Sequence, residues 1–213
     1  MILCDIGNTT FHFKSKSKSF KIGLEQSLKK VKIGKEKLYF ISVNEKGTKQ
    51  LLKHFPKAID ISSLIDFKTS YKGMGLDRQL VCKYIQNGII VDIGSAITVD
   101  VMKKGIHKGG IILPGINAYK RIYPKISKKL SFKFKTDINL DKIPLKTDDA
   151  INYSILTSII SPIKNIYNKN QVPIFFTGED SKLILSYFEG IPYKYKKNLV
   201  FNSMKKVIKE NRC

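Results

Sequence analysis

Arginine is nearly missing from this very basic chain. Of 39 basic residues only three are arginine, Arg78, Arg121 and Arg212, although the formal net charge is +22. Readers of base edges and phosphate forks favour arginine for its planar bidentate geometry. The lysines are instead spread over 14–37, 120–146 and 194–209, without an aromatic-interleaved patch. Such spacing reads as a solvated lysine-rich surface, and specific nucleic-acid binding is not expected. The charge still favours the approach of anionic substrates. Cysteine is scarce too: Cys4, Cys82 and Cys213 are odd in number, far apart and lack a CxxC pair. Disulfide and zinc readings are therefore poor, and a reducing, cytoplasmic setting fits best. Cys4 and Cys82 sit in apolar patterns, as core residues do. No apolar run approaches the ~20 residues of a membrane span, and the start Met1-Ile2-Leu3-Cys4 has no basic leader region. His12, His54 and His107 fall at no metal-ligand spacing. There is no GxxxxGK[ST] phrase and no GxGxxG after a strand, so a P-loop is excluded.

What is present is one short phrase written twice. Residues 4–9 read Cys-Asp-Ile-Gly-Asn-Thr, and residues 91–98 read Val-Asp-Ile-Gly-Ser-Ala-Ile-Thr. Each aspartate, Asp5 and Asp92, follows an apolar run and precedes a glycine turn and an alternating stretch. A buried strand, a tight turn and a returning strand fit both copies. Two such units facing each other would set two carboxylates and two glycine turns across a central cleft, a plausible place for a metal and a polyphosphate.

The remaining pattern is α/β. Strands are expected at Ile2–Cys4, Phe11–Phe13, Ser19–Ile22 and Leu38–Val43, the last continuous and apolar as a buried parallel strand is. Helices are expected at Leu24–Val31 and 46–54, with a short strand at Ala58–Ile61 and a loop over 62–74. A helix from Leu76 to Asn87 would end at Gly88. Strands at 97–102 and 106–113 follow, split at Lys104-Gly105, then a helix after Pro114-Gly115. Residues 131–146 read as irregular and basic. A long helix over 148–168, striped by Ile151, Ile155, Ile159, Ile163 and Ile166, should be kinked by Pro162. A strand at Val172–Phe176, a helix to about Phe188 and an amphipathic helix from Leu199 to Glu210 complete the chain. The repeat alone places a domain boundary near Gly88, giving 1–88 and 89–198.

Four segments carry candidate chemistry. Gly7 lets its turn approach a phosphate, Asn8, Thr9 and Thr10 offer donors, and Asp5 beside phosphate oxygens suits Mg²⁺. Gly75-Leu76-Asp77-Arg78 opens a helix. Asp77 there is either an ordinary first-turn acid or a base, and Arg78 either a surface charge or an anion clamp. Gly109-Gly110-Ile111-Ile112-Leu113-Pro114-Gly115 is either a bulged strand or a place where backbone approaches a ligand. Thr147-Asp148-Asp149-Ala150 reads as a helix start capped by Thr147. Thr177-Gly178 is a turn, or a wall for a nucleotide base.

In this order the segments resemble the type III pantothenate kinase family, of the actin-like and sugar-kinase superfamily. The phrases are Asp5-Ile6-Gly7-Asn8-Thr9, Gly75-Leu76-Asp77-Arg78, Asp92-Ile93-Gly94-Ser95-Ala96-Ile97-Thr98 and Gly109 to Gly115, with weaker matches at Thr147…Ala150 and Thr177-Gly178. The resemblance implies two ribonuclease-H-like domains with mixed sheets around a cleft, and a closing helix, 199–213, packed back on the first. It implies transfer of the ATP γ-phosphate to pantothenate, the first step toward coenzyme A. Asp77 would be the base. Gly75, Leu76, Arg78 and, by guess, Tyr71 would hold pantothenate, with Thr147 contributing from the other side or from a partner subunit. The turn Asp5, Ile6, Gly7, Asn8, Thr9, Thr10, Phe11 and His12, with Ser95, would bind ATP. Asp5 would sit by Mg²⁺, and Asp92 would bind a monovalent cation, K⁺ or NH₄⁺. A homodimer is implied. The chain departs from the family at Ser95 (usually threonine), Ser154 (usually glycine) and Glu179 (commonly a second glycine). Two alternatives stay open: a related kinase with another small hydroxylated acceptor, or a non-catalytic relative associated with nucleic acid or transcription.

Overall fold

The computed structural model describes residues 1–211; Arg212 and Cys213, counted above, lie outside them. The chain forms two compact units, one of residues 1–86 with the segment from 198 onward, the other of residues 87–197. The first holds strands β1 (Ile2–Ile6), β2 (Thr10–Lys14), β3 (Ser19–Gly23), β4 (Leu38–Ser42) and β5 (Ile59–Asp60) with helices α1 (Glu45–His54) and α2 (Leu76–Lys83). The second holds β6 (Gly88–Ile93), β7 (Ala96–Lys103), β8 (Ile106–Pro114), α3 (Ile116–Ile126), α4 (Thr147–Asn170), β9 (Ile174–Thr177) and β10 (Tyr193–Tyr195). Helix α5 (Leu199–Glu210) belongs to the first unit.

The two sheets share one topology. Their orders are β3-β2-β1-β4-β5 and β10-β9-β6-β7-β8. In each, three strands form an antiparallel meander, and two more add in parallel beside the first of them. These are the mixed sheets the sequence led us to expect.

Alternation along each central strand decides what faces what. In β1, Ile2, Cys4 and Ile6 join Phe11, Phe13, Leu38, Phe40 and Leu51 in one buried cluster. Leu3 points to the other face, where Tyr39, Ile41, Leu80 of α2, and Phe201, Met204 and Val207 of α5 form a second cluster. The sheet is covered on both faces, so β4 reads as an unbroken apolar run rather than an alternating one. In the second unit, Ile89, Val91 and Ile93 of β6 pack with β7, β9 and the isoleucine stripe of α4. Ile151, Ile155, Ile159 and Ile163 are buried and Ile166 is packed at the margin, as their spacing predicts.

Several local expectations are corrected. Leu24–Val31 is not an α-helix. Leu24, Leu28 and Val31 are all buried, but a turn and a single 3₁₀ turn, Leu28–Lys30, bury them. There the Gln26 side chain accepts from Gly23 N and Ser27 Oγ accepts from Lys29 N, so side-chain bonds displace the helical ladder. Helix α2 stops at Lys83 rather than Asn87. Tyr84 N and Ile85 N tighten to Val81 O and Cys82 O, and Gly88 opens β6 instead of capping the helix. Residues 180–188 form two 3₁₀ turns, Asp180–Leu183 and Leu185–Phe188, broken at Ile184. Lys146, not Thr147, is the N-cap of α4; Thr147 is already helical and Lys146 makes no side-chain cap bond. Pro162 lies inside α4, which is one helix from Thr147 to Asn170. Among the described residues no helix is long and apolar enough to cross a membrane.

One close contact ties α1 to the end of β1. A Cβ on Gly47 would lie 2.6 Å from Ile6 Cγ2 and 3.1 Å from Leu24 Cδ2. Gly→Ala in a helix normally gains up to about 1 kcal/mol. Here Ile6 is β-branched and fully buried, so it has nowhere to turn. Overpacking of that kind costs roughly 1–3 kcal/mol. Gly47→Ala should therefore lower the urea midpoint despite its better helix propensity; an unchanged or raised midpoint would show that Ile6 can give way.

Candidate active site

The doubled phrase forms the same local object twice. Asp5 lies between Cys4 and Ile6, both fully buried, and Asp92 between Val91 and Ile93, both fully buried. Each aspartate is half-buried and points away from the cluster its neighbours join. Asp5 thus takes the sheet face that α2 and α5 cover. Beside it, burial pushes the Cys4 thiol well up, and the Asp5 charge adds to the shift, so Cys4 is an inert core group.

The turns differ in length. In the first, Gly7 N donates to Thr10 O, with Ile6 opposite Phe11. In the second, Gly94 N donates to Ala96 O, with Ile93 opposite Ile97. The first is one residue longer, and Asn8 and Thr9 stand exposed at its tip, as Ser95 does in the second. Ile6 and Phe11 bury their side chains, so only their backbone belongs to the turn. His12 lies opposite Asp5; its Nε2 is 2.9 Å from Ser19 Oγ and its ring meets Phe201 edge-on at 4.7 Å.

In the first unit α2 brings together the second group. Gly75 is its N-cap, and Leu76, Asp77 and Arg78 form its first turn. Asp77 Oδ1 accepts from Arg78 N at 2.8 Å, which folds the carboxylate back over the helix start. A Cβ on Gly75 would sit 2.6 Å from that oxygen, so the glycine makes the fold-back possible. The helix N-terminus and the Arg78 N–H both favour the charged carboxylate. Arg78 is 8% exposed, and its guanidinium lies over the Tyr71 ring, 4.8 Å from the centroid. A cation–π contact therefore joins Tyr71, a guess from sequence, to the anion-clamp candidate.

The second turn is braced by glycines whose use the sequence left open. A Cβ on Gly115 would meet Gly94 O at 2.3 Å and Ser95 O at 2.5 Å, and Gly115 N donates to Ser95 O. The close backbone approach at the end of β8 is thus to the protein's own turn. Gly178, with φ of +89°, would place a Cβ 2.4 Å from Ile93 O and 2.5 Å from Asp92 Oδ1. Thr147, at the start of α4, is exposed, with Asp148 and Asp149 half-buried beside it. Glu179 is exposed after Gly178, and its charge helps push up the Tyr195 hydroxyl, whose burial is the larger cause.

Gly178 and Gly190 allow a clean comparison. Both have positive φ, but a Cβ on Gly190 meets nothing within 4 Å. Alanine at either position should cost about 1–2 kcal/mol of backbone strain. Only Gly178→Ala must also displace the Ile93 carbonyl and the Asp92 carboxylate. It should lower the melting temperature clearly more than Gly190→Ala does; equal shifts would mean that the turn yields freely.

Comparison with known proteins agrees with the geometry. The sequence profile of the family described as type III pantothenate kinase matches residues 12–169. A type III pantothenate kinase of Helicobacter hepaticus is 42% identical over 99% of both chains. One of Campylobacter jejuni is 41% identical over 99% of this chain and 98% of its own. A solved Campylobacter jejuni structure, described as a Baf family transcriptional activator, is 39% identical with a TM-score of 0.83, covering 100% of this chain and 99% of that one. MreB 5 of Spiroplasma citri shares the fold alone, at 13% identity and a TM-score of 0.51 over 99% and 97% of the two chains. With its twice-built acidic turn and its Gly75–Arg78 helix start, the chain belongs to the type III pantothenate kinase family.

Proposed function

We propose that this protein transfers the γ-phosphate of ATP to the primary hydroxyl of pantothenate in the cytoplasm, supplying coenzyme A synthesis. The observation that carries this reading is the first turn of α2. An aspartate held at the helix start and an arginine buried against Tyr71 stand side by side, in a chain of the pantothenate kinase family. Asp77 accepts the proton of the acceptor hydroxyl. It need not be strongly basic, because phosphoryl transfer has a loose transition state that releases the proton late. Arg78 pairs with the pantothenate carboxylate, and Tyr71 holds the guanidinium in place. Gly75 and Leu76 offer backbone to the same molecule, and Thr147 adds its hydroxyl.

The turn from Asp5 to His12 holds phosphates through its backbone and the exposed Asn8 and Thr9, and Ser95 adds a hydroxyl. Asp5 is a carboxylate beside that turn, which fits Mg²⁺ carried by ATP. Asp92 Oδ1 and Ile93 O lie within 2.5 Å of a single point, where Gly178 lacks a Cβ. That point is filled by the close approach of Gly178 itself; the monovalent cation, K⁺ or NH₄⁺, is assigned to the Asp92 carboxylate by the family resemblance. Bound cations would supply positive charge where phosphate oxygens crowd.

The protein should turn over ATP to ADP with Mg²⁺ and K⁺ only when pantothenate is added. Asp77→Asn should lower kcat by about 10²–10⁴-fold with the circular dichroism spectrum unchanged. A variant retaining a large share of the wild-type rate would remove Asp77 from the role of base, and absence of pantothenate-dependent ADP from the wild type would reject the activity.

We also propose a homodimer. The outer edge of β8 is unpaired within its sheet, and Ile112 on that strand is 56% exposed. Ile122 and Ile126, one turn apart on α3, are also exposed, as are Ile143 and Leu145. Sedimentation should give twice the chain mass, and Ile122→Glu with Ile126→Glu should give a monomer; a monomeric wild type would overturn the proposal. The name of the Campylobacter jejuni structure offers a second reading, as a transcription-associated protein. The scattered lysines argue against it, and salt-titrated binding to duplex DNA separates the two.

A further inference from the structure

Residues 131–146 form no helix or strand, yet they are held by three side chains from elsewhere in the second unit. Asn152, in the second turn of α4, is 0% exposed. Its Oδ1 accepts from Lys135 N at 2.8 Å; its Nδ2 donates to Lys133 O at 3.0 Å and to Asp148 O at 2.8 Å. The amide bonds the 133–135 backbone as a neighbouring strand would, and it joins that backbone to the first turn of α4. Lys135 Nζ adds a bond to Asp149 Oδ1 at 2.9 Å. At the far side, the Tyr187 hydroxyl accepts from Ile138 N at 3.1 Å and lies 2.8 Å from both Thr136 O and Ile138 O, to one of which it donates. Phe132, Phe134, Ile138 and Leu140 pack against the core between these points.

Asn152 stands among Ile151, Ile155 and Leu156, where an apolar side chain would suit burial at least as well. A buried amide gains little net stability, but it requires particular partners, and this one satisfies both donors and its acceptor. What it adds over leucine is a fixed register between two stretches of backbone. The stretch it fixes on α4 begins with Thr147, Asp148 and Asp149.

We infer that Asn152 is a positioning residue for the acceptor: by locking 133–135 to the first turn of α4 it sets where Thr147 presents its hydroxyl to pantothenate. This rests on the proposed pantothenate kinase activity and on the role of Thr147 in it. The amide itself touches no substrate. Its loss should let the start of α4 drift, which weakens acceptor binding and leaves the phosphate turn and Asp77 as they were.

The test is the kinetics of Asn152→Leu, nearly conserved in volume. KM for pantothenate should rise about tenfold, while kcat and KM for ATP stay within about twofold of wild type. Lys135→Ala, a surface change, should shift the same constant in the same direction by a smaller factor, and it serves if the leucine variant does not fold. Hydrogen exchange at the Lys135 amide should speed up in Asn152→Leu. Unchanged pantothenate KM in an active, folded Asn152→Leu, or in Lys135→Ala where the leucine variant does not fold, would overturn the inference and leave the activity standing. An equal rise in both KM values would mark the residue as merely structural and also overturn it. A wild type that makes no ADP with pantothenate would overturn the activity itself, and with it the part assigned to Thr147; retained exchange protection at Lys135 in the leucine variant would separately remove the strap.

Discussion

Each of the two acidic turns depends on a carboxylate placed between two fully buried side chains at the end of a central strand. Asp5 sits between Cys4 and Ile6, and Asp92 between Val91 and Ile93. Because side chains alternate with a period of two, slipping either strand by one residue would drive the acid into an apolar cluster and take two residues out of the cluster they fill. Burying an unpaired carboxylate costs several kcal/mol. The register is therefore set by the core, and the acid has its place as a consequence. Hydrophobic packing is what aims the chemistry.

The same constraint is applied to two turns with different needs. The first has four residues between its last paired positions, Ile6 and Phe11, and the nearest heavy atom to a Gly7 Cβ would be Thr10 O at 3.8 Å. It keeps open backbone and exposed Asn8 and Thr9 at its tip. The second has three residues between Ile93 and Ile97 and is pressed by Gly115 and Gly178. A loose turn can adapt to phosphate oxygens; a braced one can hold an oxygen donor such as Asp92 at a fixed point. Repeating a fold unit thus gave two related but unequal tools, with the difference residing in one residue of turn length and two contacting glycines.

Most of the fold was legible because its signals are cooperative. The apolar run of β4, the isoleucine stripe of α4 and the doubled Asp-Ile-Gly each extend over several residues that agree. The errors fall where agreement is short-range. At 24–31 the helical spacing of buried positions is real, but Gln26 and Ser27 satisfy the backbone locally. At 180–188 the same apolar spacing is met by 3₁₀ turns. Neither outcome can be read from periodicity, which reports which residues are buried and not how the chain delivers them. At the site, Asp5, Asp77, Arg78 and Asp92 stood out by type and position. Asn152 did not, because a lone asparagine inside a helical stripe looks like any polar interruption until its three partners are known.

Glycine shows the limit of such reading most directly. Gly109 and Gly190 have positive φ and open space around the missing Cβ, so conformation alone explains them. Gly47, Gly75 and Gly115 do not have a positive φ, and a Cβ there would strike Ile6, Asp77 or the Gly94–Ser95 backbone. Among these glycines, Gly178 combines both demands. The two uses are identical in sequence, but they respond differently to alanine: the first loses backbone freedom only, the second moves a neighbour. At Gly75 and Gly178 that neighbour is an aspartate carboxylate. Glycine is required there because each acid lies against backbone: Asp77 folds back to accept from Arg78 N over Gly75, and Asp92 Oδ1 takes the space a Cβ on Gly178 would need.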